Sequence, residues 1–438
     1  MKRTKILFSF FIFIIFCNFL SFSFALTLAE KTAELESLLT SQATLIMEAS
    51  TGRVVYEHNG YQKKYPASTT KMLTAILAIE HCNLNETATA SETAIKSIPG
   101  GYSTANIQIG ETLCVEDLLY ALMLQSANES AVILAEHISG SHEAFAELMN
   151  KKLEEIGCKN THFVNSNGIH NENHYSTAYD LALIAQYCMK NETFRKIVRE
   201  PSFTLPATSA YPAETRTFTN TNNLLIYDGR NRPDNYYYEY ATGIKTGYTT
   251  PAKNCLVSSA TKNGMDYICV VLGADVIYGN SGSISARYTD TISLFNYAFD
   301  NFSFRKIKSA NSNVKTIEIE NATKDTKKLD LLVADEINVL ASIDNKDTEI
   351  EPKIVLNDNL IAPISKGSVV GHISYEVEGL CYTTDLLASN DVKEAKSTTF
   401  ILVVFIILFV CAVVIWGFRY YNLNYKKYRR RYSKIKRG

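Results

Sequence analysis

An uninterrupted apolar run from Phe400 to Phe418 limits this chain more than any other feature of its 438 residues. At 1.5 Å per residue, a helix over that run covers the ~30 Å hydrocarbon core of a bilayer. Nine cations follow between Arg419 and Arg437, with no acid among them. The asymmetry predicts a cytoplasmic tail over 419–438 and everything before the span on the outer side. The other end agrees. Met1-Lys2-Arg3-Thr4-Lys5 leads into an apolar stretch from Ile6 to Phe24, closing on the small-x-small site Ser23-Phe24-Ala25. This reads as a secretory signal peptide over 1–25. Cys17 does not mark a lipoprotein, because Phe16 stands where a small residue is required.

With both ends set aside, the exterior portion carries 32 basic against 45 acidic residues, about -13 in net charge. That surface excludes nucleic acid as a partner. The nine cysteines never form Cys-x-x-Cys, and most sit in apolar patterns (Cys82, Cys114, Cys188, Cys269). Buried thiols are expected rather than a disulfide framework or a metal site. His170 and His174 have the spacing of a zinc pair but fall in a loop, Asn165 to His174, which argues against a metal.

Ala43–Glu48 and Arg53–Glu57 read as two strands around the turn Ala49-Ser50-Thr51-Gly52. A helical region is expected from Lys71 to about Ile197, including Val115–Leu124, Ser130–Ile138, His142–Ile156 and Ala178–Met189. Strands return at Gly243–Lys245, Cys255–Thr261 and Tyr267–Leu272, and a helix spans about Ala286–Phe299. Strands at both ends with helices inserted between them predict an α+β fold: an antiparallel sheet flanked by a large helical subdomain, over 26–303. Short alternating stretches, the last of them Val369–Tyr375, then predict a small β-rich domain within 304–387 that ends near Gly379. Ala388–Thr399 reads as a polar stalk ahead of the span at 400–418. The Tyr211–Tyr240 stretch, with its Tyr236-Tyr237-Tyr238 run, reads as exposed loop.

Three short motifs carry chemistry. Pro66-Ala67-Ser68-Thr69-Thr70-Lys71 opens an apolar helix, so Ser68 and Lys71 share a face about 5–6 Å apart at Cβ. A hydroxyl and an amine would meet at the positive end of the helix, as a nucleophile and its base do. Ser-x-x-Lys recurs at Ser259, Ser303, Ser312 and Ser433, but none of these opens a long apolar helix. Gln125-Ser126-Ala127-Asn128 stands between two helices, where a hydroxyl and an amide can pass a proton and hold a substrate amide, or simply cap the next helix. Gly243-Ile244-Lys245-Thr246-Gly247-Tyr248 sets a lysine, a hydroxyl and a glycine on a strand, and Gly247 admits a close backbone.

Taken in this order, Ser-x-x-Lys, Ser-x-Asn and Lys-Thr-Gly form the motif set of penicillin-interacting serine enzymes. Over about Leu28–Phe299 the chain resembles the low-molecular-mass penicillin-binding proteins that act as D-alanyl-D-alanine carboxypeptidases. Val115-Glu116-Asp117-Leu118-Leu119-Tyr120 and Tyr175-Ser176-Thr177-Ala178-Tyr179-Asp180 carry the likeness beyond the motifs. The β-rich domain is similar more weakly, through Lys366-Gly367-Ser368-Val369-Val370-Gly371. The resemblance implies attack by Ser68 on the penultimate D-alanine of a peptidoglycan stem peptide, release of the last D-alanine, hydrolysis of the acyl-enzyme, and covalent inhibition by β-lactams.

It further implies that Lys71 is a neutral base, Ser126 a proton relay and Asn128 a holder of the substrate amide. The N–H groups of Ser68 and Tyr248 would form the oxyanion hole, Lys245 would lower the Lys71 pKa and with Gly247 border the substrate, and Thr246 and Arg287 would bind the terminal carboxylate; no metal or cofactor is needed. Lys71→Ala is expected to stop acylation with the fold intact, on the reading that it opens no large cavity. A DD-endopeptidase, a β-lactamase of the same fold and an inactive wall-binding protein are the alternatives.

Overall fold

The computed structural model describes residues 26–229, 235–279, 282–342, 344, 350–395 and 398–435. The signal peptide expected over 1–25 lies outside the described residues. The chain divides into two compact units. One runs to Phe304 and takes in a return segment from Leu340, and the other holds Arg305–Val339 and the residues from Thr348 on.

In the first unit, α1 (Leu28–Leu38) begins in a capping box between Thr27 and Glu30. Five strands then build one antiparallel sheet: β1 (Ala43–Glu48), β2 (Val54–His58), β3 (Ala241–Thr249), β4 (Lys253–Lys262) and β5 (Met265–Ala274), in the order β2-β1-β5-β4-β3. The register pairs Leu45 with Val270, Val257 with Val270, and Lys245 with Val257. Successive side chains leave opposite faces. Leu45, Met47, Val257 and Val270 enter one core, while Ile46, Leu256, Cys269 and Val271 enter the other. Burying each such side chain contributes about 1.5–3 kcal/mol, so a sheet covered on both faces is held firmly through its centre. The second core is closed by α8 (Ala286–Asn301).

The first core takes the inserted helices: α2 (Lys71–His81), α3 (Val115–Met123), α4 (Asn128–Ser139), α5 (His142–Ile156), α6 (Ala178–Met189) and α7 (Glu192–Arg199). Lys71 through Ala78 are all buried, as befits a helix apolar on every side. The helical region is less continuous than expected. It is broken by a ladder of Thr87–Thr89 with Thr112–Cys114, and a hairpin of Ser202–Leu205 with Arg216–Thr219 follows it. These threonine-rich strands alternate too briefly to show a period. Tyr236 and Tyr238, read as exposed loop, lie in the second core at 7% and 9% exposure. There Tyr236 stacks on Tyr288, Tyr238 stacks on Phe295, and only Tyr237 faces outward. Residues 230–234 of that stretch lie outside the described residues.

The second unit contains an antiparallel sheet of β6 (Asn313–Glu318), β7 (Lys328–Val333), β8 (Lys353–Leu356), β9 (Val369–Val377) and β10 (Leu380–Ala388), in the order β6-β7-β10-β9-β8. Gly379 is therefore the turn between β9 and β10, at φ 84°, and not the end of the domain. The expected stalk is also shorter. Val392 exchanges backbone hydrogen bonds with Ile364, and the Ala395 N–H donates to Asn321 O. Backbone pairing asks nothing of side-chain polarity, so a polar stretch can join a sheet.

Thr398–Ile435 forms one helix, α9, of 38 residues, about 57 Å at 1.5 Å per residue. The apolar run occupies its first half, and the basic tail continues the same helix. Stacked pairs Trp416–Tyr420, Tyr421–Tyr425 and Tyr428–Tyr432 support the continuation at i, i+4 spacing.

Candidate active site

The chain reaches the cleft through a tight elbow. Ala67 has φ 49°, and Ala67–Thr70 is a 3-10 turn that runs directly into α2. The elbow is gripped from both sides by glycines. A Cβ on Gly247 would stand 3.0 Å from Pro66 O and 3.1 Å from the Ser68 nitrogen, so β3 passes this close only because the residue is glycine. A Cβ on Gly168, whose φ is 80°, would stand 2.0 Å from Ala67 O. The Asn165–Gly168 loop thus seats directly on the elbow's backbone.

Lys71 is fully buried, and its Nζ has three neighbours: Ser68 Oγ at 2.8 Å, Asn128 Oδ1 at 2.8 Å and Asn167 O at 2.6 Å. The last two can only accept, while the hydroxyl can also donate. A neutral amine has two N–H groups and one lone pair. It therefore satisfies both acceptors and turns its lone pair to Ser68. Burial, and after it the cation of Lys245, holds the Lys71 amine well below its ordinary 10.5, with Glu129 opposing. A lowered pKa favours the neutral amine, the form in which the lysine can take the serine's proton.

Lys71 is also among the largest fully buried side chains. Truncation to alanine would open a cavity and strand two acceptors, so the expectation that Lys71→Ala leaves the fold undisturbed is corrected by this packing.

Ser126 lies in the turn between α3 and α4 at φ 60°, 6% exposed, on the wall of the same cleft. A non-glycine residue costs of order 1 kcal/mol there. The turn is fastened where Asn128 donates from both its backbone N–H and its Nδ2 to Ser103 O, at 3.0 and 2.9 Å. Both polar ends of Asn128 are thus engaged in the free chain. Glu129 adds a buried carboxylate accepting from the Ala105 N–H at 2.6 Å, which ties down the segment carrying Tyr102 and Ser103.

Across the cleft, β3 is the sheet's edge strand, so its outward backbone groups face the opening. Lys245 is buried and donates to Thr246 O at 3.1 Å; burial, then the Arg287 guanidinium, brings its amine down to about 7. Thr246 Oγ1 lies 2.6 Å from Thr221 Oγ1. Arg287, in the first turn of α8, sits with Tyr248 on the same wall, its guanidinium 4.7 Å from the Tyr288 ring. Ser68, Ser126, Asn128, Thr246, Gly247, Tyr248 and Arg287 all border one cleft of about 380 Å³.

His174, by contrast, is a packing residue. Thr70 Oγ1 and the Val164 N–H engage its two nitrogens, at 2.8 and 3.1 Å, it stacks on Phe163, and burial drives its pKa down to about 3. Neither nitrogen is left for a metal shared with His170.

Sequence reasoning missed Asn167, Gly168 and Thr221. Asn167 acts through its carbonyl, which no residue type announces. Gly168 stood in a loop weighed only for metal binding, and nothing in the threonine-rich stretch before Thr221 set that residue apart.

Lys245 supplies a pH prediction. It holds its proton less tightly folded, at about 7, than at its ordinary 10.5. Across that window the unfolded chain binds more protons, so stability rises with pH, and below about 7 this slope disappears. Denaturant unfolding at several pH values is expected to show the slope flattened in Lys245→Met.

A helical subdomain set against an antiparallel sheet, with a serine hydroxyl beside a buried lysine in the cleft between them, defines the serine–lysine class of penicillin-interacting proteins. Residues 29–276 match the family described as D-alanyl-D-alanine carboxypeptidase, and residues 302–394 match the C-terminal domain of penicillin-binding protein 5. The chain is 30% identical over 391 residues to the D-alanyl-D-alanine carboxypeptidase DacF of Bacillus subtilis (strain 168), covering 89% of this chain and 94% of that one. A D-alanyl-D-alanine endopeptidase of Escherichia coli (strain K12) is 30% identical over 255 residues, 57% of this chain and 76% of its own. Among solved structures, penicillin-binding protein 5 of Haemophilus influenzae superposes with a TM-score of 0.62 at 29% identity, over 81% of this chain and 98% of that one. The chain belongs to the serine-type D-alanyl-D-alanine carboxypeptidase family.

Proposed function

We propose that this enzyme removes the terminal D-alanine from peptidoglycan stem pentapeptides on the outer face of the membrane, with Ser68 as nucleophile and Lys71 as its base. The observation that carries the reading is the threefold environment of Lys71 Nζ, whose two pure acceptors leave its lone pair for the Ser68 hydroxyl. The substrate lies along the exposed edge of β3 as an added strand. Ser68 Oγ attacks the penultimate carbonyl as its proton passes to Lys71, and the backbone N–H groups of Ser68 and Tyr248 hold the oxyanion. Ser126 relays the proton to the departing amine. Water then attacks the ester and restores Ser68. Asn128 fixes Lys71 and turns its amide to the substrate once Ser103 O is displaced. Lys245, Thr246 and Arg287 receive the terminal carboxylate. A β-lactam carbonyl meets the same serine and remains attached.

The purified enzyme is expected to release D-alanine from a pentapeptide faster than it cleaves a cross-linked dimer. The reverse order would assign it to endopeptidase chemistry, which the same residues could perform and which one relative's name carries.

For location, α9 serves as the anchor in this reading, and the charge asymmetry supports a catalytic unit outside and a basic end inside. Protease added to intact protoplasts is expected to digest the catalytic unit and spare the tail. Loss of the tail alone would reverse the orientation.

A further inference from the structure

We propose that Cys82, Glu86 and His137 form a binding site for one zinc ion, apart from the cleft, that clasps the far ends of α2 and α4. The three ligand atoms (Cys82 Sγ, a Glu86 carboxylate oxygen and a His137 ring nitrogen) all lie within 4.8 Å of one another. His137 Nε2 is 2.9 Å from Glu86 Oε1. Zinc bonds of about 2.0–2.3 Å place tetrahedral ligands roughly 3.3–3.6 Å apart. The His137–Glu86 spacing falls just short of that value and none of the three exceeds it by more than about 1.5 Å, so side-chain rotations can close the site.

The backbone carrying these groups is held by its own hydrogen bonds. Cys82 is the C-cap of α2, its N–H donating to Ala78 O at 3.0 Å. Glu86 donates its N–H to Asn83 O and accepts from the Val115 N–H at 2.9 Å, which fixes it between the end of α2 and the start of α3. His137 stands in the last turn of α4.

Two physical arguments select the occupant. One sulfur, one nitrogen and one oxygen suit zinc, whereas magnesium and calcium take oxygen alone. The ends of α2 and α4 that meet here are both C-terminal, where the helix dipole favours a cation. The thiol and carboxylate lie within 4.8 Å of each other, and burial with Glu86 beside it raises the Cys82 pKa to about 12, so without metal the sulfur keeps its proton. On binding, the S–H bond gives way to an S–Zn bond and the proton leaves to solvent. The carboxylate and imidazole contribute lone pairs, and no group is oxidised or reduced. Thiolate and carboxylate together neutralise the ion. His137 is exposed, so water completes the fourth position. The other ends of the same two helices present Lys71 and Asn128, so the ion ties the pair together without entering the chemistry.

The test uses the full-length protein in detergent, stripped with a chelator and titrated with cobalt(II), then zinc. One equivalent of cobalt is expected to bind with a thiolate charge-transfer band and to be displaced by zinc. Cys82→Ser should lose the band. His137→Gln should weaken zinc by more than the roughly 10–100-fold that follows loss of an outer-shell partner. Both variants should still be labelled by penicillin, which shows that they are folded. Absence of saturable binding at one equivalent, a band that survives Cys82→Ser, or unchanged affinity in His137→Gln would each overturn the site. If Cys82→Ser fails to fold, the exposed His137→Gln variant decides alone.

Discussion

A fluorescent penicillin is expected to label this protein covalently at Ser68, and Ser68→Ala is expected to show no label at all. The substitution removes a hydroxyl and little else, so the loss is chemical and not structural. Its partner Lys71 Nζ, 2.8 Å away, keeps both of its acceptors in the variant. Adduct mapping by mass spectrometry checks the assignment, because four other serines share the Ser-x-x-Lys spacing. An adduct on any of them, or on Ser126, would sink it. Lys71 is better tested by methionine than by alanine, since methionine fills the buried volume. Lys71→Met is expected to leave the protein folded and unlabelled.

Arg287→Ala is expected to depress kcat/KM for peptides ending in free D-Ala-D-Ala by about 2–4 kcal/mol, roughly 30- to 1,000-fold. Its Nε is buried without a hydrogen bond, and among the described residues no carboxylate pairs with it. Its guanidinium also lowers the pKa of buried Lys245. Arg287 borders the cleft without a paired carboxylate among the described residues, so an incoming anion stabilises it, and guanidinium meets carboxylate in bidentate fashion. A neutral thioester lacking the carboxylate should lose far less rate. Equal losses on both substrates would show that Arg287 supports the fold instead.

The elements legible in the sequence were those with an undisturbed period. β1, α5 and α6 begin and end where their patterns do. β3 runs from Ala241 to Thr249, well beyond the expected Gly243–Lys245, because two glycines and a lysine mask its alternation. The site shows the same division. The three motifs located Ser68, Ser126 and Lys245, yet periodicity alone would place Lys71 and Lys245 at the surface, where lysines usually belong. Their burial depends on Asn128 Oδ1, Asn167 O and Thr246 O accepting the amine hydrogens. Such acceptors come from tertiary structure and leave no mark in composition. Tyr236 and Tyr238 show the converse, a polar-looking run that supplies core.

The elbow that carries Ser68 has a bearing on when the protein becomes reactive. Asn167, which accepts from Lys71, follows it by 96 residues, and Gly247, which lies against the Ser68 nitrogen, comes later still. Contacts closed over such sequence distances bear the loop-closure entropy of everything between and are reached slowly. A chain that is truncated or unfinished before β3 therefore keeps Ser68, Lys71 and Asn167 but lacks Lys245 and the strand that lies against the Ser68 nitrogen. It should be inert toward cell-wall peptides and β-lactams alike. Acylation by a penicillin then gauges completed chains and not total protein, and during refolding it should lag behind the recovery of helix.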